Sequence, residues 1–197
     1  MKTIIKSFLM LLLLTILTGI VYPVAITVIG QLLFPSKANG SLIIKNHKII
    51  GSELLGQSFT DSIYFHSRPS VINYNPLPSG ASNLGLSSSL LKEQVNSRKF
   101  NFTLKNLLPD TTLIPAEMIF ASASGVDPHI SVESAKLQVN RILQSRDIPN
   151  NKAEFLFSLI DSLTEYPQFW VLGNKGVNVL LLNLKLDKEY KKWIIQN

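Results

Sequence analysis

The sequence contains no cysteine. That excludes disulfides, thiolate metal sites and cysteine nucleophiles, without reporting on the compartment. Histidine is scarce too. His47, His66 and His129 stand far apart, so ligands paired at helical spacing are missing and no metal site is expected. There is no His-Glu-x-x-His and no Gly-x-Ser-x-Gly elbow. The nearest approach to a phosphate cradle, Gly80 to Gly85, is followed by Leu86 and Ser87 instead of Lys and Ser/Thr. No catalytic residue is therefore assigned. Net charge is +6, but the densest basic stretch, Lys185 to Lys192, also holds Asp187 and Glu189. Nucleic-acid binding wants a basic stripe with stacking aromatics, so a solvated helix face is expected there and no nucleic-acid partner. Internal repeats and low-complexity tracts are also absent.

What is present is a run of about thirty residues without a charge, between Lys6 and Lys37, where ~20 suffice to cross a hydrocarbon core. A secretory signal core is shorter, ~7–15 apolar residues, and ends at a small-x-small site. Here Ala25 has Pro23 at the minus-three position, so the run reads as an uncleaved anchor. No second long apolar run follows, and the remaining ~160 residues suit one domain. Lys2 and Lys6 precede the run without an acid, which favours a cytoplasmic N-terminus. The expected organisation is a cytoplasmic tail (1–6), a transmembrane helix (7–34) and an extracytoplasmic domain (35–197).

The anchor is patterned. Thr15, Thr18, Gly19 and Tyr22 fall at i, i+3, i+4 and i+7, one face of a regular helix. Pro23, Thr27 and Gly30 continue it. Helices in lipid associate through small residues and hydroxyls, so Thr15, Thr18, Gly19, Tyr22, Pro23 and Thr27 form a candidate face for partner helices. Pro23 crowds the carbonyl of Gly19, which has no side chain to hinder an adjustment.

In the outer domain, Leu42–Ile44 and Lys48–Gly51 predict a hairpin around Asn46-His47. Residues 60–90 are rich in Ser, Asn, Pro and Gly, but Phe59, Tyr64, Phe65 and Tyr74 predict a segment that is packed down. Helices are expected over about 88–100, from Ser131 onward with Ser131 as cap, over 151–163, and over 187–195. Met118–Ala121, Phe169–Leu172 and Val177–Leu184 read as strands. This mixed order gives the fold class α+β: one N-terminal transmembrane helix followed by a single mixed α/β domain.

Two loops hold more polar, rigid residues than stability demands. One is Tyr64-Phe-His-Ser-Arg-Pro-Ser70 with Asn73-Tyr-Asn75 and Ser79-Gly-Ala-Ser-Asn-Leu-Gly85. The other is Ala121-Ser-Ala-Ser-Gly-Val-Asp-Pro-His-Ile-Ser131. Turn chemistry accounts for much of both: Arg68 anchoring loop carbonyls, Asp127 and Ser131 capping the next helix. The functional alternative is that the Ser124-Gly125 amides face an anion or a partner loop. His66, Arg68, Asn83, Asp127 and His129 are the candidate partner contacts.

On these residues the chain resembles the C subunits of Kdp-type potassium-transporting P-type ATPases, nearly end to end. Further motifs carry the likeness: Gly19-Ile-Val-Tyr-Pro23, Gln31-Leu-Leu-Phe-Pro35, Asn39-Gly-Ser-Leu42, Gly51-Ser-Glu-Leu-Leu-Gly-Gln57 and Val177-Asn-Val-Leu-Leu-Leu-Asn-Leu184. Ala81 stands where a second glycine is usual. The resemblance implies a non-catalytic subunit of an ATP-driven potassium importer in the bacterial plasma membrane. Its implied partners are a channel-like potassium-binding subunit, the P-type ATPase subunit, a small single-helix subunit and the lipid bilayer. It also implies a catalytic chaperone that raises the ATPase subunit's affinity for ATP, with Ser122, Ser124 and Gly125 as the nucleotide-binding segment. No covalently bound cofactor is expected, ATP being bound through the ATPase subunit. Two other readings stand beside it: an anchored module binding a nucleotide or ion in its own right, and an anchored hydrolase built on Asp127 and His129.

Overall fold

A computed structural model of the chain describes residues 1–196, with residues 192–196 as helical backbone only. Two compact units follow one another, residues 1–52 and residue 53 onward.

The first unit begins with an apolar helix, Lys2–Leu33, of 32 residues. It comprises α1 (Lys2–Ile16), a π turn (Leu17–Val21) and α2 (Tyr22–Leu33), with no buried residue in any of the three. The π turn has an identifiable cause. Pro23 has no N–H for the Gly19 carbonyl and its ring presses on it; widening the preceding turn relieves the clash. Accordingly the Tyr22 amide donates five residues back, to the Leu17 carbonyl. The wide turn carries Tyr22, Pro23, Thr27 and Gly30 round the axis by about one residue step (~100°) relative to Thr15 and Thr18. Thr18 and Thr27 fold their hydroxyls back onto the carbonyls of Leu14 and Pro23, at 2.7 and 2.8 Å.

Phe34 leaves helical geometry and Pro35 starts a short turn, α3 (Pro35–Ala38). The carboxamides of Gln31 and Asn39 donate to each other at 3.3 and 3.1 Å. The expected hairpin follows as β1 (Leu42–Lys45) and β2 (Lys48–Ser52), antiparallel. Its two turn residues, Asn46 and His47, both have positive φ, as a tight two-residue hairpin requires.

In the second unit no helix or strand occurs before α4 (Ser89–Lys105), whose first turn is capped by Ser88 Oγ. The preceding segment is nonetheless packed down, with Phe65 fully buried. Then come α5 (Ala116–Ile119), β3 (His129–Ile130), α6 (Val132–Lys136), α7 (Val139–Ser145), a 3-10 turn (Asn150–Lys152) and α8 (Ala153–Ser162). The chain ends with β4 (Thr164–Glu165), β5 (Gly176–Asn178) and α9 (Val179–Gln196). β5 lies between β3 and β4, antiparallel to both. Ile130 and Val177 on this sheet pack with Val139, Ile142, Leu143, Leu156, Ile160, Leu182 and Leu186 from α7, α8 and α9. The fold is thus mixed α/β with one long apolar N-terminal helix.

Four expectations are corrected. Met118–Ala121 is not a strand: Pro115 sets the entry to a helical turn that the Phe120 amide closes on the Ala116 carbonyl at 2.8 Å. The helix after Ser131 is capped by Ser131 as expected, but it breaks into α6 and α7, since the Gln138 amide donates to Ala135, three residues back. Phe169–Leu172 is an exposed loop. Val177–Leu184 is strand for two residues only; from Val179 the buried positions 179, 180, 182, 183 and 186 follow helical spacing.

Candidate functional site: the loops joined by Arg68 and Asp127

The two motif-rich loops meet. Arg68 Nη1 donates to Asp127 Oδ2 at 2.6 Å, both side chains partly exposed. Around this pair the backbones lock together. The Gly56 amide donates to the Val126 carbonyl at 2.7 Å, the Ser122 amide to the Pro69 carbonyl at 2.9 Å, and Ser79 Oγ to the Ser124 carbonyl at 2.8 Å. Two glycines make this approach feasible. A Cβ on Gly56 would lie 2.5 Å from the Asp127 oxygen, and one on Gly125 2.4 Å from Ile72 Cγ1, with Gly125 also at φ +72°.

Local turns fix the rest. Tyr74 donates its hydroxyl to the Arg68 carbonyl at 2.6 Å, and burial raises its pKa. Ser70 Oγ accepts from the amides of Ile72 and Tyr74. Asp127 Oδ1 accepts from the His129 amide at 3.0 Å, an Asx turn. Asp127 therefore joins loops and caps no helix; Ser131 Oγ caps α6 alone, accepting from the Ser134 amide. The Gly125 amide is turned inward, to the Ser122 carbonyl at 3.3 Å, and the Val126 amide to Ser124 Oγ. The Gly125 amide thus does not face outward to an anion. Ser122 is buried and its hydroxyl meets Ser124 Oγ at 3.2 Å, while Ser124 is exposed.

Asp127 and His129 also line a cavity of ≈ 290 Å³, with Glu117, Glu165 and Lys175. His129 Nε2 lies 3.5 Å from Glu165 Oε1. Glu117 is engaged at the back of this cavity, accepting from the Ser131 amide at 2.7 Å and from Ser134 Oγ. Asn83 is exposed, at φ +51°.

His66 is separate from this cluster and belongs to the interior. Its backbone amide and carbonyl both pair with the carboxamide of Gln138, at 2.7 and 3.2 Å. Its ring Nε2–H donates to the Asp61 carbonyl at 3.0 Å. Burial, aided by the Arg141 charge, lowers its pKa to about 4.

Four residues, of which only Asn183 falls within a quoted motif, hold this whole segment. Asn183 pairs with both backbone groups of Phe65, at 2.8 and 2.9 Å. Arg141 donates to the carbonyls of Ser62 and Tyr64, to Asn106 Oδ1 and to Gln138 Oε1. Arg146 donates to the Ile63 carbonyl and to Asp187 Oδ1 at 2.8 Å each, between the rings of Tyr64 and Tyr190. Gln138 and Arg141 do leave a trace in the sequence. They interrupt the apolar face of Ala135, Val139 and Ile142, where an uncompensated polar side chain is costly.

Comparison with known proteins agrees with the whole-chain likeness. The family model described as the K+-transporting ATPase c chain, KdpC, matches residues 4–188. The potassium-transporting ATPase KdpC subunit of Mycobacterium tuberculosis (strain H37Rv) is 42% identical over 189 residues, covering 95% of this chain and 98% of that protein. Its counterpart in Pectobacterium atrosepticum is 42% identical, covering 93% and 95%. That of Leptospira interrogans is 40% identical, covering 93% of each.

Proposed function

The chain belongs to the KdpC family of potassium-transporting ATPase subunits, and from that premise we propose that it is a single-pass, non-catalytic assembly partner within such a complex. Residues 7–34 cross the bacterial plasma membrane, residues 1–6 stay cytoplasmic, and residues 35–197 lie outside. Lys2 and Lys6 on the short leader support this orientation. The observation that carries the reading is the anchor: 32 helical residues without one buried side chain. Such a surface needs lipid on one side and leaves another for helices of the channel-like, ATPase and small single-helix subunits.

The chaperone role, raising the ATPase subunit's affinity for ATP, fits this placement only as an indirect effect. ATP is cytoplasmic, so the influence travels through packed membrane helices and not through Ser122, Ser124 and Gly125 touching nucleotide. The inward Gly125 amide supports that choice. Arg68, Asn83, Asp127 and His129 then serve as partner contacts on a pre-formed loop surface. A second reading, an anchored module binding a nucleotide or ion itself, is favoured by the cavity beside His129, Glu165 and Lys175. Titrating the full chain in detergent with ATP or potassium, while following the His129 ring resonances, separates the two.

The decisive experiment uses Gly19. A Cβ there meets nothing within 4 Å inside this chain, so Gly19→Leu leaves the isolated subunit folded. Close approach of a partner helix should suffer, by ~1–2 kcal/mol. Recovery of the large subunits on the mutant in mild detergent should fall about tenfold, the equivalent of ~1.4 kcal/mol. Equal recovery with wild type rejects the helix-docking reading.

A further inference from the structure

Between β4 and β5 the chain forms a loop that the preceding reading leaves unused. Tyr166, Phe169, Trp170, Val171 and Leu172 are 56%, 84%, 85%, 80% and 61% exposed. No ionised residue occurs from 166 to 172. The loop is nonetheless built: the amide and carbonyl of Gln168 pair with those of Leu172, both at 2.9 Å. The Trp170 amide donates to the Pro167 carbonyl at 3.1 Å. Phe169 and Trp170 both sit at left-handed φ, +52° and +65°, a region bulky L-residues avoid. Two aromatic residues thus accept backbone strain in a conformation that leaves their side chains in solvent. Large apolar side chains exposed together in one short loop mark a contact with another phase or molecule.

We propose that this loop is an interfacial lipid contact, with Phe169, Trp170 and Val171 entering the headgroup–acyl boundary of a bilayer. The inference rests on reading Lys2–Leu33 as a membrane anchor, and on no other part of the proposed function. Three observations favour lipid over a protein surface. The chain carries its own bilayer-length helix, which tethers the second unit to a bilayer. Trp, Tyr and Phe with a nearby Lys are the composition of membrane interfaces: Lys175 Nζ lies 5.0 Å from the Tyr166 ring centre, and the Tyr166 and Trp170 rings are 6.5 Å apart. Lys175 beside these exposed apolar side chains complements phosphate headgroups.

The absence of cysteine makes each introduced thiol a unique label. The full chain is reconstituted in phosphatidylcholine–phosphatidylglycerol vesicles with spin labels at Trp170→Cys, at Leu12→Cys in the anchor, and at Glu154→Cys on the exposed surface. Labels at 12 and 170 should collide more often with oxygen than with an aqueous nickel chelate, and the label at 154 should show the reverse order. A nickel-accessible label at 12 removes the anchor reading. A lipid-shielded label at 12 with a nickel-accessible label at 170 overturns this inference and leaves the anchor intact. It is equally overturned if position 170 is shielded only once the other subunits are added, which makes the loop a protein contact. Should Trp170→Cys fail to fold, Trp193→Phe leaves Trp170 as the sole tryptophan. Its emission should then shift to the blue and be quenched by brominated lipid; quenching by iodide without that shift counts against the proposal.

Discussion

Gln138 and Asn183 each present one carboxamide to both backbone groups of a neighbouring residue, as a paired strand would. The segment carrying Phe65 and His66 therefore crosses the interior with its polar backbone satisfied and no sheet to join. Asn183→Leu keeps the side-chain volume but strands a buried N–H and C=O at Phe65. Leaving such groups unpaired costs ~1–3 kcal/mol each, so urea denaturation of the variant should show a loss of about 3 kcal/mol; a loss under about 1 kcal/mol refutes the role. His66 gives the same region a pH dependence. Its folded pKa of about 4 lies below the ordinary histidine value of 6.5, so between these values the unfolded chain binds the extra proton and stability rises with pH. The contribution is complete above pH 6.5 and is lost as pH falls toward 4, up to ~3 kcal/mol. His66→Gln should flatten that part of the stability–pH curve, while an unchanged slope assigns it to other groups. Little of this was legible in the sequence. The motif around Tyr64 to Ser70 marks where the segment lies, but its partners are 72 to 118 residues away; Gln138 shows only as a polar break in an apolar helix face, and nothing local says what it binds.

The elements were legible where periodicity was clear and misread where it was not. The hairpin turn at Asn46-His47, the Ser131 cap and the buried stripe of α8 all follow from local chemistry. Four apolar residues at Met118–Ala121, and the run Val177–Leu184, carry no period that separates strand from helix. In the second case the arbiter is Asn178. Its Oδ1 accepts from the Leu181 amide at 3.2 Å, capping α9, while its Nδ2 holds the Glu53 carbonyl at 2.7 Å. One side chain thus ends β5, starts α9 and fastens the beginning of the second unit. Asn178→Ala should cost ~1–2 kcal/mol through the lost cap. Asn178→Asp keeps the capping oxygen and should recover part of that in thermal unfolding. If the aspartate variant is no more stable than the alanine variant, the helix start is set by something other than this cap. The π turn shows the same contest of scales: sequence marks Pro23 and Gly19, but only the wider turn reveals how the carbonyl conflict is resolved and how far the later residues rotate.

At the scale of the whole molecule, what matters is which side of the bilayer the second unit occupies. Charge near the anchor argues for the outside: the leader has Lys2 and Lys6, but Lys37, Lys45 and Lys48 follow within a few turns and weaken the bias. A role in ATP affinity pulls the other way, because nucleotide is on the cytoplasmic side. The loop cluster bears on this conflict through its geometry. With the Gly125 and Ser122 amides committed to Ser122 and Pro69 carbonyls, two of the segment's donors are unavailable to a phosphate, in keeping with the proposed indirect route to the ATPase subunit. Protease added to sealed right-side-out vesicles should therefore digest residues 53–197 and spare the anchor, whereas sealed inverted vesicles should protect them. A photoreactive ATP analogue supplied to inverted vesicles should label the ATPase subunit and not this chain, in the presence of the whole complex. Labelling within 121–125 there would place the domain on the cytoplasmic side and return Ser122, Ser124 and Gly125 to direct contact with nucleotide. The protease pattern would then have to invert as well, so the two measurements must agree for either topology to stand.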